Sequence, residues 1–167
     1  DIRRAVSTSI GTLARIRSDI LNRQALLMNR AIVGQLPMLS LPIQLKMVNA
    51  FVDTDVVVRR NMISGYNYLG INVPSEVFAR LLQDEDLEVR SSVLPLAARH
   101  LDFSLFVEKA AVVADDESPI LRLSLIRELY PRSALKPIPL LQKLTQDADP
   151  EVATAAELQL FNNAPDL

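Results

Sequence analysis

The chain has 167 residues, a net charge of −2, 49% hydrophobic residues and 23% charged residues. That is enough to bury about 70% of the surface an unfolded chain of this size would expose, and the composition excludes a disordered segment or a uniformly basic nucleic-acid binder. The lack of Cys excludes disulfides, thiolate nucleophiles and cysteine-ligated zinc, and four Gly are too few for a phosphate loop.

No run of about 18 apolar residues is present, so no membrane insertion is expected of this piece. No segment of it resembles a signal peptide. The chain starts at Asp1 and is expected to be excised from a longer, cytoplasmic protein.

In chain order, the helical periodicity begins with a weak pair over residues 3–36. Ile16 and Ile20 mark its first helix, and Leu27, Ala31 and Ile32 its second. After it come alternating helices that we designate A and B. The A helices are predicted at about 42–52, 74–83, 104–114 and 137–146, and the B helices at about 55–69, 86–101, 118–130 and 149–162. No segment alternates apolar and polar residues as a strand would.

The order of these elements repeats. DTDVVVRR from Asp53, DEDLEVRS from Asp84, DESPILRL from Asp116 and DADPEVAT from Asp147 recur at steps of 31, 32 and 31 residues. Asp55, Asp86, Ser118 and Asp149 form an N-cap column. Pro119 and Pro150 follow it at the first helical position, where a missing N–H costs nothing. Three apolar columns run along helix B: Val58, Val89, Leu121, Val152; then Met62, Val93, Leu125, Ala156; then Tyr66, Ala97, Leu129, Leu160. Their spacing of i, i+4, i+8 is one helix face. Helix A supplies Met47, Phe78, Ala110, Leu141 and then Ala50, Leu81, Val113, Leu144.

This unit resembles the HEAT repeat and, more broadly, the armadillo-like α-solenoids. The resemblance rests on a turn Asp with an Arg six residues on: Asp53 with Arg59, Asp84 with Arg90, Asp116 with Arg122. A Pro near the start of helix A (Pro42, Pro74, Pro139) adds to it. The resemblance covers about Pro42 to Phe161 in units shorter than the usual ~40 residues. It implies an all-α, right-handed α-α superhelix of about four full HEAT-like hairpins plus a degenerate N-terminal pair. The expected organisation is one solenoid domain over 1–167, with degenerate helices over 1–40, repeats over 41–162 and a tail over 163–167. The ladder residues are expected to pair between neighbouring repeats. In the last unit Ala153 replaces the Arg, and Glu157 replaces the apolar Ile63, Leu94 and Ile126, as a water-facing cap requires.

Chemistry is sparse. His100 is the only imidazole and has no recognisable nucleophile context. Asp84-Glu85-Asp86 and Asp115-Asp116-Glu117 recur in register with the repeat, so they read as caps and ladder acids rather than metal ligands. Gly65 and Gly70 fall within a B-helix string and read as marking close helix packing or a helix end. No catalytic residue, cofactor or metal site is expected.

The expected function is a non-catalytic protein-interaction or scaffolding module. Candidate partner-binding residues on the B helices are Arg60, Asn61, Ser64, Asn67, Ser91, Ser92, Arg99, Ser124 and Arg127. Alternatives are a nucleic-acid-binding solenoid or a solenoid lyase or glycosylase. Residues 1–50 carry a charge of +5 and residues 101–167 a charge of −5. Nucleic acid is disfavoured as a partner because no aromatic residues interleave the basic N-terminus. The apolar face of Ile2, Val6, Ile10 and Leu13 suggests packing on preceding sequence or self-association through the N-terminal helix.

Overall fold

The computed structural model describes residues 2–12, 40–69, 71–130 and 138–162, the side chains of 67–69 and 162 excepted. Residues 2–12 are helical (α1). There follow α2 (Leu41–Ala50), α3 (Val56–Leu69), α4 (Ser75–Leu81), α5 (Leu87–His100), α6 (Phe103–Ala110), α7 (Pro119–Leu129), α8 (Ile138–Leu144) and α9 (Pro150–Asn162). No strand occurs among the described residues, so the protein is all-α. The second helix expected before residue 36, the face position Leu13 and the tail from 163 lie outside the described residues.

Each predicted A and B helix starts within two residues of its expected position, and side-chain caps account for three of the B-helix starts. Asp55 Oδ1 accepts from the Val57 N–H, Asp86 Oδ1 from the Val89 N–H, and Asp149 Oδ1 from the N–H groups of Glu151 and Val152. These are donors that a first helical turn leaves free. Ser118 departs from the column, because its hydroxyl makes no cap bond. The Leu121 N–H turns instead to the Ser118 backbone carbonyl at 3.1 Å. The predicted 104–114 helix also ends early. After Ala110 the chain tightens into a 3₁₀ turn over Ala111–Asp115, closed by the Asp116 N–H on the Val113 carbonyl.

The chain forms two compact units, Asp1–Val73 and Pro74–Leu167. In the first, α2 packs on α3 around Met47, Phe51, Val58, Met62 and Tyr66, all buried. The rings of Phe51 and Tyr66 meet edge to face with centroids 5.8 Å apart, a favoured aromatic geometry. Helix α1 lies against α3. A Cβ added at Gly65 would sit 3.4 Å from the Gly11 Cα, so of the two readings Gly65 marks a close helix approach.

In the second unit, helix pairs α4/α5 and α8/α9 pack internally, and like helices meet their successors: α4 with α6, α5 with α7, α7 with α9. The repeat columns form the core. Val89, Val93, Ala97, Leu121, Leu125, Leu129, Val152 and Ala156 are essentially inaccessible, as are Phe78, Leu81, Ala110, Val113, Leu141 and Leu144. Leu160 is only half-buried. Glu157 is exposed where Leu94 and Ile126 are buried.

Candidate functional site

The repeated turns come first, because they fix where each helix presents its outer face. All four turn aspartates fold back on their own turn. Asp53, Asp84, Asp116 and Asp147 accept, through Oδ1, the N–H groups of Asp55, Asp86, Ser118 and Asp149 at 2.8–3.0 Å. This bond to the residue two ahead is an Asx turn. The arginine six residues on then reaches back. Arg59 Nη1 donates to the Asp53 carbonyl, Arg90 Nη1 to that of Asp84, and Arg122 Nη1 to that of Asp116.

Arg90 and Arg122 also reach forward to the next turn. Arg90 Nε and Nη2 donate to the two carboxylate oxygens of Asp116 at 2.7 and 3.2 Å. Arg122 donates to both oxygens of Asp147 at 2.7 Å each. Each is a bidentate fork, the strong form of such a pair. The Arg122 bond, more than its charge, holds the Asp147 carboxyl below its ordinary pKa. In the first unit α1 supplies equivalent partners: Arg3 pairs with Asp53 at 2.9 Å and Arg4 with Asp55 at 2.7 Å. The acidic clusters are therefore occupied by turn-closing work. Asp115 adds a pair with Lys143, and Glu117 one with Arg90. Among the described residues no group of three acids or imidazoles is placed to hold a metal ion.

The candidate partner residues divide between the units. On α3, Ser64 is exposed, while Arg60 and Asn61 are half-buried and the Asn67 side chain lies outside the described residues. Asn61 Nδ2 donates to Ser7 Oγ and Thr8 Oγ1, both at 3.1 Å, so its amide ties α3 to α1. Asn61 and Ser64 edge a cleft of about 240 Å³ whose other walls are Ser7, Thr8, Gly11, Thr12 and Gly65. Among the described residues its lining is polar hydroxyl, amide and glycine backbone, groups that offer hydrogen bonds.

In the second unit Ser91, Ser92 and Arg99 are exposed on α5 and Arg127 on α7. Ser124 is half-buried, its hydroxyl donating to the Ile120 carbonyl at 2.9 Å. His100, at the end of α5, is held below the usual imidazole pKa by partial desolvation and then by Arg99.

Counting from each turn aspartate aligns the outer faces of these helices. Ser92 and Ser124 share one position, and Arg127 shares another with Leu158 of α9. Tyr130 and Phe161 share a third, and both are exposed. Sequence reasoning passes over Tyr130, Leu158 and Phe161. The signal for them is that they fall beside the buried columns, where no core role accounts for a large apolar side chain.

No family model matches this chain, and no curated protein or solved structure matches it. Among the described residues no helix is long and apolar enough to cross a membrane.

Proposed function

We propose that the chain is a non-catalytic protein-interaction module of HEAT-like type, its hairpins continuing as a right-handed α-solenoid. On this reading it binds a protein partner across the outer faces of α5, α7 and α9. One observation carries the reading: α5 packs on α7 and α7 on α9, all three expose the position four residues after the turn aspartate (Glu88, Ile120, Glu151), and the exposed Arg127 and Tyr130 of α7 are matched by the exposed Leu158 and Phe161 of α9. Helices of 11–14 residues are about 16–21 Å long and pack about 8–10 Å apart. The resulting face reaches the lower end of a specific protein interface. The buried turn pairs keep that face rigid, which limits the entropy lost on binding.

The charge distribution supports a protein rather than a nucleic-acid partner. Residues 74–167 carry 16 Asp and Glu against nine Lys and Arg, and the N-terminal Arg3 and Arg4 are paired with Asp53 and Asp55.

A photo-crosslinking residue placed at Ser92 or at Arg127 should trap the same partner in cells. The same residue at Gln142, exposed on α8, should not. Equal trapping at all three positions, or none at Ser92 and Arg127, overturns this reading.

A further inference from the structure

The last two hairpins carry something the earlier one lacks. Fourteen residues after the turn aspartate stand Tyr130 on the end of α7 and Phe161 on α9; the matching residue of α5, Ala98, is small and buried. Tyr130 is 55% exposed and Phe161 78%. One turn back on α9, Leu158 is 59% exposed, at the register position of Arg127 on α7. Helices α7 and α9 pack on each other, so these side chains share one patch. At 150–250 Å² per aromatic side chain, its apolar area comes to roughly 300–400 Å², the size at which exposed patches mark binding surfaces. Aromatic residues are also the usual anchors of such surfaces.

From this patch and its charge we infer the occupant: a basic amphipathic helix of a partner protein, its apolar stripe on Tyr130, Leu158 and Phe161. The inference rests on the interaction-module reading and names its partner class. Glu151 and Glu157 are exposed on α9 with Leu158 and Phe161, against Arg127 on α7. The unit has a charge of −7, and four of its cations, Arg90, Lys109, Arg122 and Lys143, already pair with its own acids. The patch also sits at the C-terminal ends of α7 and α9, where free carbonyls favour positive charge. An apolar stripe flanked by Lys or Arg meets both demands, in the helix-in-groove mode of peptide recognition.

The test is a fluorescence-anisotropy titration of the full chain with designed leucine/lysine amphipathic peptides of about 18 residues, or ~27 Å as a helix. Two controls accompany it: a leucine/glutamate counterpart, and a scrambled leucine/lysine peptide without the stripe. The striped basic peptide should bind at least about tenfold more tightly than either control. The double variant Tyr130→Ser/Phe161→Ser should weaken it by at least about tenfold, while Val112→Ser, away from the patch, should leave it unchanged. Both variants alter exposed side chains and should keep the parental melting curve, which is measured alongside. The inference is overturned if the striped basic peptide does not bind, if the acidic or scrambled peptide binds equally, or if the double variant binds like the parent. Retained crosslinking from Ser92 and Arg127 in any of those cases would leave the interaction-module reading standing and remove only this partner.

Discussion

Replacing Arg90 by alanine tests whether the paired turns hold the hairpins of the second unit together. The Arg90 and Asp116 side chains are each only 8% exposed. The substitution removes both arms of the fork and the bonds from Nη1 to the Asp84 and Glu85 carbonyls. Breaking a buried pair by deleting one partner costs about 3–5 kcal/mol, because a charge is left behind. Here the Asp116 carboxylate keeps the Ser118 N–H, and water can enter the space vacated, so about 2–4 kcal/mol is the expected loss. For a chain of this length that lowers the melting temperature by roughly 5–15 °C.

Two controls set the scale. Arg99→Ala removes an exposed side chain and should stay within about 0.5 kcal/mol of the parent. Arg3→Ala breaks a pair with Asp53 in which the Arg is 55% exposed, so it should cost at most about 1 kcal/mol. Urea unfolding followed by far-UV circular dichroism reads all three, since the chain has no Trp. An Arg90→Ala variant as stable as Arg99→Ala would refute the reasoning.

Three further outcomes are expected. Leu125→Ala, at a side chain with no exposure, should cost about 2–5 kcal/mol; denaturant unfolding checks this, and a cost below about 1 kcal/mol would remove the helix-B column from the core. Gly65→Ala should be tolerated, because its Cβ would sit at 3.4 Å from the Gly11 Cα, whereas Gly65→Leu should displace α1 and expose it to limited proteolysis; equal resistance of both variants contradicts the close approach. The Asp147 carboxyl is held below its ordinary pKa chiefly by the Arg122 bond, so this pair contributes fully above about pH 4 and is lost as pH falls through the lowered value. Asp147→Asn should therefore flatten the acid limb of the stability curve, and an unchanged limb would contradict the assignment.

The helices and their core were legible because the apolar columns and cap residues recur four times in one register, with a Pro opening helix B in two of the four repeats. Four coincident spacings leave little room for another fold of the same residues. The turn aspartates were legible as ladder acids, but their bond to the residue two ahead was not, nor was the backward reach of Arg59, Arg90 and Arg122. Those bonds depend on backbone direction within a three-residue turn, which residue type alone does not specify. Ser118 shows the converse: a good capping residue whose hydroxyl goes unused because a nearby carbonyl takes the same donor. The candidate surface was half legible. Polar B-helix positions such as Ser92 and Arg127 follow from periodicity. Tyr130, Leu158 and Phe161 were hidden because an apolar residue in a helix is read by default as core, and only burial distinguishes the two.

The arginine–aspartate pair is split across hairpin boundaries. The donor Arg90 belongs to one hairpin and its acceptor Asp116 to the next, and Arg122 and Asp147 repeat the arrangement. Residues Asp116 to Gln146 thus form an interchangeable cassette, opening on an acceptor and carrying its own donor. Excising it whole would bring Asp147 to the place of Asp116, opposite Arg90, with the turn, cap and core columns restored in phase. A deletion that removed Arg122 but left both Asp116 and Asp147, or removed Asp116 with no replacement acid, would strand a buried guanidinium or carboxylate. Among deletions that cross this ladder, those of whole hairpins should therefore be the tolerated ones, as a written word changes by syllables.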